Sequence, residues 1–347
     1  MNTGDITVNR SPGHGLSRGD HLVDVRDLFV EFRTREGVAK VINGVSYYLD
    51  PGESLAVLGE SGSGKSVTAQ AIMGILDMPP GFIPSGEILL EGRDLLKMPS
   101  SERRSIRGKE IAMIFQDALS ALNPVYKVGY QIGETLRHRM GMSKADAEKR
   151  AIELMDLVKI PDARQRVHEY PHQFSGGMRQ RVMIAMALAM SPKVLIADEP
   201  TTALDVTVQA QIMDLLAGLR RDLNMAMILI THDLGVVADV ADRIAVMYAG
   251  RIVEHADVHE IYKAPAHPYT KGLLESIPRL DAKGTELATI KGLPPNLMHT
   301  PPGCTFNPRC KYVQDICRNT VPPDVVVGPG RTSACHFARE VLNGDLD

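Results

Sequence analysis

The chain contains no tryptophan, and aromatic residues make up only 5% of its 347 positions, so the sequence offers no base-stacking surface of the kind that grips single-stranded nucleic acid. A basic excess is missing too. Against 42 Asp and Glu stand 39 Lys and Arg, a net charge of -3, which argues against a nucleic-acid partner. No apolar run approaches the roughly 20 residues of a membrane-spanning helix; the longest, Val182 to Met190, has nine. Met1 to Asp20 is polar and Gly-rich without the apolar segment of a secretory signal, so residues 1–21 read as a disordered tail and the protein as cytoplasmic. Cysteine is absent until Cys304. What remains is an ordinary globular composition, 44% hydrophobic and 23% charged, on a chain long enough for about two domains.

From about Leu22 to Gly250 short β-branched runs alternate with longer helical patterns, the signature of an α/β domain around a mainly parallel sheet. The candidate strands Ser54 to Leu58, Ile111 to Ile114, Val194 to Ala197, Met227 to Ile230 and Ile244 to Met247 are short and continuously apolar, as strands buried on both faces should be. Between Asp117 and Ser175 the strand signals vanish. Ser143 to Asp146 caps a helix there with apolar residues at Ala147, Ala151, Leu154, Met155 and Val158, predicting an inserted helical subdomain over about 117–175 whose stripe packs internally. Arg103, Arg104, Arg107 and Lys109 predict a solvated basic face, the alternatives being a partner or anionic lipid heads. After Ile261 the texture changes, because 11 of the 22 prolines fall between Pro265 and Pro329. A domain over 22–260 is thus expected to be followed by a separate C-terminal module over 261–347.

The strongest local signal is Gly59-Glu60-Ser61-Gly62-Ser63-Gly64-Lys65-Ser66, a G-x-x-x-x-G-K-S loop between an apolar strand and a helix beginning near Val67. Glycines let such a loop wrap closely, so its N–H groups and the helix N-terminus surround the β- and γ-phosphates of ATP. Lys65 adds a point charge. Ser66 offers a hydroxyl to Mg²⁺, which prefers oxygen ligands and keeps several waters. Downstream, Val194 to Glu199 is an apolar strand ending in two acids. Asp198 is placed to hold Mg²⁺ and Glu199, one residue on, to polarise the attacking water as general base. Ser175, Gly176 and Gly177, in Phe174 to Arg181, stand before the helical run Val182 to Met190, where a hydroxyl and two N–H groups can bind a γ-phosphate presented by another molecule.

This third element resembles the signature motif of ABC-type ATPases, with Phe174 in place of Leu and Met178 in place of Gln. The rest of that family's set follows in order. Gln116 resembles the Q-loop glutamine that reaches Mg²⁺ and the attacking water; Asp205, in Ala203-Leu204-Asp205, the D-loop that crosses a dimer interface; His232 the switch histidine; and Phe32 the adenine-stacking aromatic, with Tyr47 and Tyr48 as nearby alternatives. The resemblance covers about Val23 to Gly250. It implies a P-loop ATPase core, a RecA-like sheet with an antiparallel β part, and a head-to-tail dimer in which each ATP is sandwiched between one chain's Lys65 loop and the other's Ser175 segment. ATP binding would close that dimer and hydrolysis release it.

Cys304, Cys310, Cys317 and Cys335, separated by five, six and seventeen residues, lie in a Pro-rich segment with little apolar content to fold it. Disulfides do not suit a cytoplasmic chain, so a thiolate metal site is expected, with iron–sulfur, zinc and free thiols all open on spacing alone. A narrower resemblance then enters. His267-Pro268-Tyr269-Thr270, Gly303-Cys304, Asn307-Pro308-Arg309-Cys310, Cys335-His336 and Ala121-Leu122-Asn123-Pro124 after Gln116 look like the ATPase subunits of dipeptide and oligopeptide importers. That likeness implies a [4Fe-4S] cluster on the four cysteines, with His336 a bystander, zinc being the alternative. It implies further a second ATPase subunit, commonly a relative, two membrane-spanning permease subunits, an extracytoplasmic binding protein, and a place at the cytoplasmic face of the membrane. The expected function is to hydrolyse ATP for uptake of di- and oligopeptides. The alternatives are the same role for nickel or glutathione, or a soluble ABC ATPase; the latter expects a coiled-coil insertion or two fused cassettes, and neither is in the sequence.

Overall fold

The computed structural model describes residues 21–202, 204–277 and 289–346. The expected tail, residues 1–20, and Ala203 lie outside them. His21, assigned to that tail, is already packed: its ring stacks on Tyr48, and Nδ1 stands 2.6 Å from the Asp50 carboxylate.

The chain opens with the long strands β1 (Val23–Thr34) and β2 (Gly37–Leu49), then β3 (Ser54–Leu58) and α1 (Lys65–Met73). The short strands β4 (Gly81–Phe82), β5 (Glu87–Leu90) and β6 (Arg93–Asp94) lead to α2 (Ser100–Ile106) and β7 (Ile111–Ile114). Between β7 and β8 come helices alone: α3 (Ala118–Ala121), α4 (Val128–Met140), α5 (Lys144–Leu157), α6 (Ala163–Arg166) and α7 (Gly176–Leu188). β8 (Val194–Asp198), α8 (Val206–Asp222), β9 (Ala226–Thr231), β10 (Arg243–Tyr248) and β11 (Arg251–Asp257) complete the alternation. The rest contains α9 (Val258–Lys263), α10 (Pro268–Glu275), α11 (Asp315–Asn319), β12 (Val325–Gly328), β13 (Arg331–Ser333) and α12 (Ala338–Asn343). Among the described residues no helix is long and apolar enough to cross a membrane.

The described strands form two sheets. One is antiparallel, in the order β2-β1-β5-β6 with β4 on β1; the other runs β12-β13-β11-β10-β3-β9-β8-β7. From β10 to β7 the second sheet is parallel. Every residue of β3, β8 and β9 is buried, and the period of two sends alternate side chains to opposite faces. Ala56, Leu58, Leu195 and Ala197 join a core shared with α7, α8 and the helical subdomain, while Leu55, Val57, Val194 and Ile196 face the antiparallel sheet and α1. The Ser143 cap holds α5, accepting from Asp146 N at 3.1 Å, and Ala147, Ala151, Leu154 and Met155 are buried in the first core. The basic segment is only partly a solvated face. Arg103 turns in to donate to Leu96 O at 3.0 Å, and Arg107 donates to the Gly74 carbonyl.

The C-terminal residues are less separate than their composition suggests. β13 pairs antiparallel with β11 and extends the second sheet itself. A buried ionic knot fixes the join. Glu254 on β11 accepts from Ala266 N at 2.7 Å, His267 N at 3.0 Å and Arg331 Nη2 at 3.2 Å. A Pro-rich segment with few apolar residues cannot bury a core alone, so it borrows an edge of a sheet that can.

Candidate active site

β3 ends at Leu58 and α1 begins at Lys65, leaving Gly59 to Gly64 as the loop between them. Two of its glycines have no substitute. A Cβ on Gly59, at φ 155°, would stand 2.2 Å from the Met247 carbonyl oxygen, and one on Gly64, at φ 107°, 2.6 Å from Ile42 Cδ1. Ser63 N donates to Glu60 O at 3.2 Å and closes the turn. Lys65 is buried, and its Nζ donates to the carbonyls of Gly59 at 2.7 Å and Glu60 at 3.0 Å. Burial pushes its ammonium pKa down, against Glu199, Asp198 and Glu60, which raise it. Ser66 Oγ donates to Asp198 Oδ1 at 2.9 Å across the end of β8. Burial pushes the Asp198 carboxyl up, and the Ser66 bond lowers it. A hydroxyl and a carboxylate meeting beside the phosphate loop are an oxygen donor set that fits Mg²⁺.

Parallel pairing of Ile114 with Ala197 and of Ala197 with Leu229 aligns the ends of β7, β8 and β9, so Gln116, Glu199 and His232 leave the sheet side by side. Glu199 bends out of β8 at φ 45°, a left-handed conformation costing a glutamate about 1–3 kcal/mol, while its N–H donates to Ile230 O at 2.8 Å. Its carboxylate is gripped. Gln116 Nε2 donates to Oε2 at 2.9 Å, Thr202 Oγ1 donates to the same oxygen at 3.0 Å, and His232 Nδ1 stands 3.5 Å from Oε1. One open pocket is lined by Glu60, Ser61, Gly62, Gly64, Lys65, Ser66 and Val67 from the loop and α1, by Gln116, Glu199 and His232 from the strand ends, and by Val41 and Leu297.

Ser175, Gly176, Gly177 and Asp205 do not line that pocket. α7 starts at Gly176, earlier than the expected Val182, because Ser175 caps it by accepting from Met178 N at 3.4 Å. Asp205 caps α8 in the same way, accepting from Val208 N at 3.0 Å. The two helix starts are pressed together, since a Cβ on Gly177 would lie 2.5 Å from Val208 Cγ1. Ser175 thus stands exposed beside Asp205's helix, outside the pocket that its own chain's Lys65 lines. Phe32 pairs with Ala39 in the β1–β2 hairpin and packs against the second core, outside the pocket, whose apolar lining comes from Val41, Val67 and Leu297.

Residues 42–202 match the family described as ABC transporter, and residues 253–317 the family described as oligopeptide/dipeptide transporter, C-terminal region. The oligopeptide transport ATP-binding protein OppD of Bacillus subtilis is 55% identical over 309 residues, 89% of this chain and 86% of that protein. OppD of Salmonella typhimurium is 52% identical over 321 residues, covering 92% and 95%, and the dipeptide transport ATP-binding protein DppD of Bacillus subtilis 49% over 331, covering 94% and 99%. The chain belongs to the ABC transporter ATP-binding proteins. Among solved ABC cassettes, the dimeric post-hydrolysis cassette MJ0796, bound to ADP and Pi, superposes with a TM-score of 0.61 at 26% identity, over 68% of this chain and 98% of that one.

Within this ABC ATPase, residues outside the motifs also serve the pocket. Thr202, on the turn after Glu199, lies close enough in sequence to have been suspected as a hydroxyl donor; Val41 and Leu297 carry no chemical signal that sequence could expose. None of the four cysteines is paired in a disulfide. They line one small cavity together, closed by Phe306, Tyr312, Phe337 and Val341. Burial pushes the Cys310 thiol up to about 11, the Cys335 thiol up to about 12, and Cys304 up as well. Phe337 N donates to Cys335 Sγ at 3.4 Å. The four sulfurs share that cavity with His267, Asn307 and His336, but among the described residues no three His, Cys, Asp or Glu are grouped so as to hold a metal ion.

Proposed function

We propose that this chain hydrolyses ATP to drive a peptide importer, the solutes being oligopeptides or dipeptides as in the names of its relatives OppD and DppD. The observation that carries this reading is the Glu199 carboxylate, held by Gln116, Thr202 and His232 over the pocket that Lys65 and Ser66 open. Loop N–H groups and Lys65 receive the β- and γ-phosphates, placing the γ-phosphate toward Glu199. Glu199 takes a proton from the attacking water, and Gln116 and His232 hold carboxylate and water in line. Ser66 and Asp198 would hold Mg²⁺, which when bound neutralises charge on the transferring phosphoryl group. Ser175, Gly176 and Gly177 of a second ATPase subunit, with Asp205 at the same edge, cover the γ-phosphate from the far side.

The remaining partners are two membrane-spanning permease subunits and an extracytoplasmic binding protein, with this subunit at the cytoplasmic membrane face. Phe115, Val125, Tyr126 and Tyr130 support the docking. They are exposed apolar side chains, Val125 at 70%, on the stretch of chain around and after Gln116, where the likeness to importers implies that a membrane partner docks. At the cysteines we assign the [4Fe-4S] cluster that the likeness to peptide-importer ATPase subunits implies, with zinc as the alternative; what supports a shared group there is that all four cysteines line one cavity.

The test is reconstitution. Co-expressed with its membrane subunits and supplied with the binding protein in liposomes, the chain should purify as a complex whose ATPase rate rises with peptide. An ATPase rate indifferent to peptide, or no membrane complex at all, contradicts the assignment. In the same preparation iron and acid-labile sulfide should appear in equal amounts; stoichiometric zinc without iron would overturn the cluster.

A further inference from the structure

The C-terminal residues reach back to the phosphate loop at a point that none of the nucleotide motifs explains. Arg309 meets Glu60, the second residue of that loop, fork to fork: Nη1 to Oε2 at 2.5 Å and Nη2 to Oε1 at 2.9 Å. The arginine side chain is only 5% exposed. Its remaining donors are committed to the carbonyls of Lys291 at 3.2 Å and Ile290 at 3.5 Å, both in the C-terminal segment, and to the Tyr248 hydroxyl at 3.4 Å. Glu60 raises the Arg309 pKa further, so the guanidinium is charged at any working pH.

The backbone of Glu60 is held as well. Its N–H donates to the Tyr269 hydroxyl at 2.8 Å, and its carbonyl accepts from Lys65 Nζ at 3.0 Å. Tyr248, Tyr269 and Phe306 pack beneath the pair with ring centroids 4.6 to 5.4 Å apart, which leaves little room for it to shift. A second contact lies at the other end of the pocket, where Leu297 lines the wall and its carbonyl accepts from Lys40 N of β2 at 3.2 Å. The segment from Tyr269 to Arg309 thus touches the nucleotide site at its loop and at its apolar wall.

We propose that Arg309 is a positioning residue of the ATP site: through Glu60 it fixes the loop in the conformation that presents Lys65 and the loop N–H groups to the phosphates. The C-terminal extension is in consequence part of the nucleotide site. This rests on the ATP reading of the pocket. A buried ion pair adds little to net stability, because desolvation offsets attraction; what a forked pair contributes is geometry. Disturbing it should therefore change how well the loop receives phosphate more than it changes the chemical step.

The experiment uses the full chain in its assembled transporter, with Arg309→Ala, Arg309→Lys, Glu60→Gln and the double variant Arg309→Ala/Glu60→Gln. KM for ATP, kcat, and the melting temperature without nucleotide are measured for each. Arg309→Ala should raise KM roughly tenfold with kcat changed by less than about threefold, the pattern of lost binding rather than lost chemistry. Lysine should recover part of it, since it restores the charge without the fork. The double variant should be no worse than the more affected single one. Glu60→Gln tests the same pair from the loop side, on a segment of chain that carries no cysteine, should Arg309→Ala fail to fold. Unchanged KM in Glu60→Gln, or single effects that multiply in the double variant, overturns the inference; a wild-type transporter that binds no ATP would instead overturn the reading it rests on.

Discussion

A carboxylate that takes a proton from water must be fixed relative to a phosphate that moves in and out with each cycle. Glu199 meets that demand through its backbone, which leaves the strand at φ 45°, and through side chains from two other segments and its own turn. Thr202 is the least expected of these. Its hydroxyl and the Gln116 amide share one oxygen of Glu199, so Thr202→Val removes one restraint while keeping the shape. A single hydrogen bond of about 1 kcal/mol predicts a fall in kcat of roughly fivefold with KM for ATP unchanged, read from steady-state ATPase kinetics. That Gln116, Glu199 and His232 come together at one pocket is legible in the sequence because each follows a recognisable strand. Phe32 shows the limit: an aromatic upstream of the loop can be identified, but not the direction in which a hairpin turns its side chain, and here it faces a core. Arg309 shows another, since its partner Glu60 is 249 positions away and nothing local marks the pair.

At the scale of elements, α7 and α8 carry the surface on which, in the proposed mechanism, a second subunit closes. Their N-terminal turns touch through Gly177 and Val208, and Ser175 and Asp205 cap them side by side. Gly177→Ala sets two effects against each other. Alanine favours the helix by about 1 kcal/mol, while a methyl 2.5 Å from Val208 Cγ1 overpacks the contact, typically at about 1–3 kcal/mol. Overpacking should win, lowering the melting temperature by a few degrees and the ATPase rate with it, and Val208→Ala added to the same chain should restore both. A variant as stable and active as wild type would show that the two helices have slack. A Gly-Gly pair reads as a turn unless the cap before it and the packing behind it are seen, which is why the helix expected from Val182 begins at Gly176. The inserted helices, by contrast, were plain from the loss of strand signals between Asp117 and Ser175.

Across the whole molecule, the division into an ATPase domain and an appended module is one of composition more than of structure. β13 lengthens the parallel-sheet system at β11, Arg331 is buried against Glu254, and Arg309 and Leu297 reach the nucleotide pocket. Three-residue strands such as β13 have no periodicity to read, which is why the join was invisible before folding. Ser175 lies outside the pocket of its own chain, so in the proposed mechanism this chain supplies half of a site. In that mechanism Glu199 performs the chemistry once the site is complete, and Glu199→Gln in the assembled transporter is the decisive variant. We expect Mg-ATP to be retained through gel filtration with affinity near that of wild type, and hydrolysis in a single turnover to fall at least about a hundredfold, the scale set by losing a general base. Hydrolysis at a near-normal rate with the nucleotide bound would contradict the account.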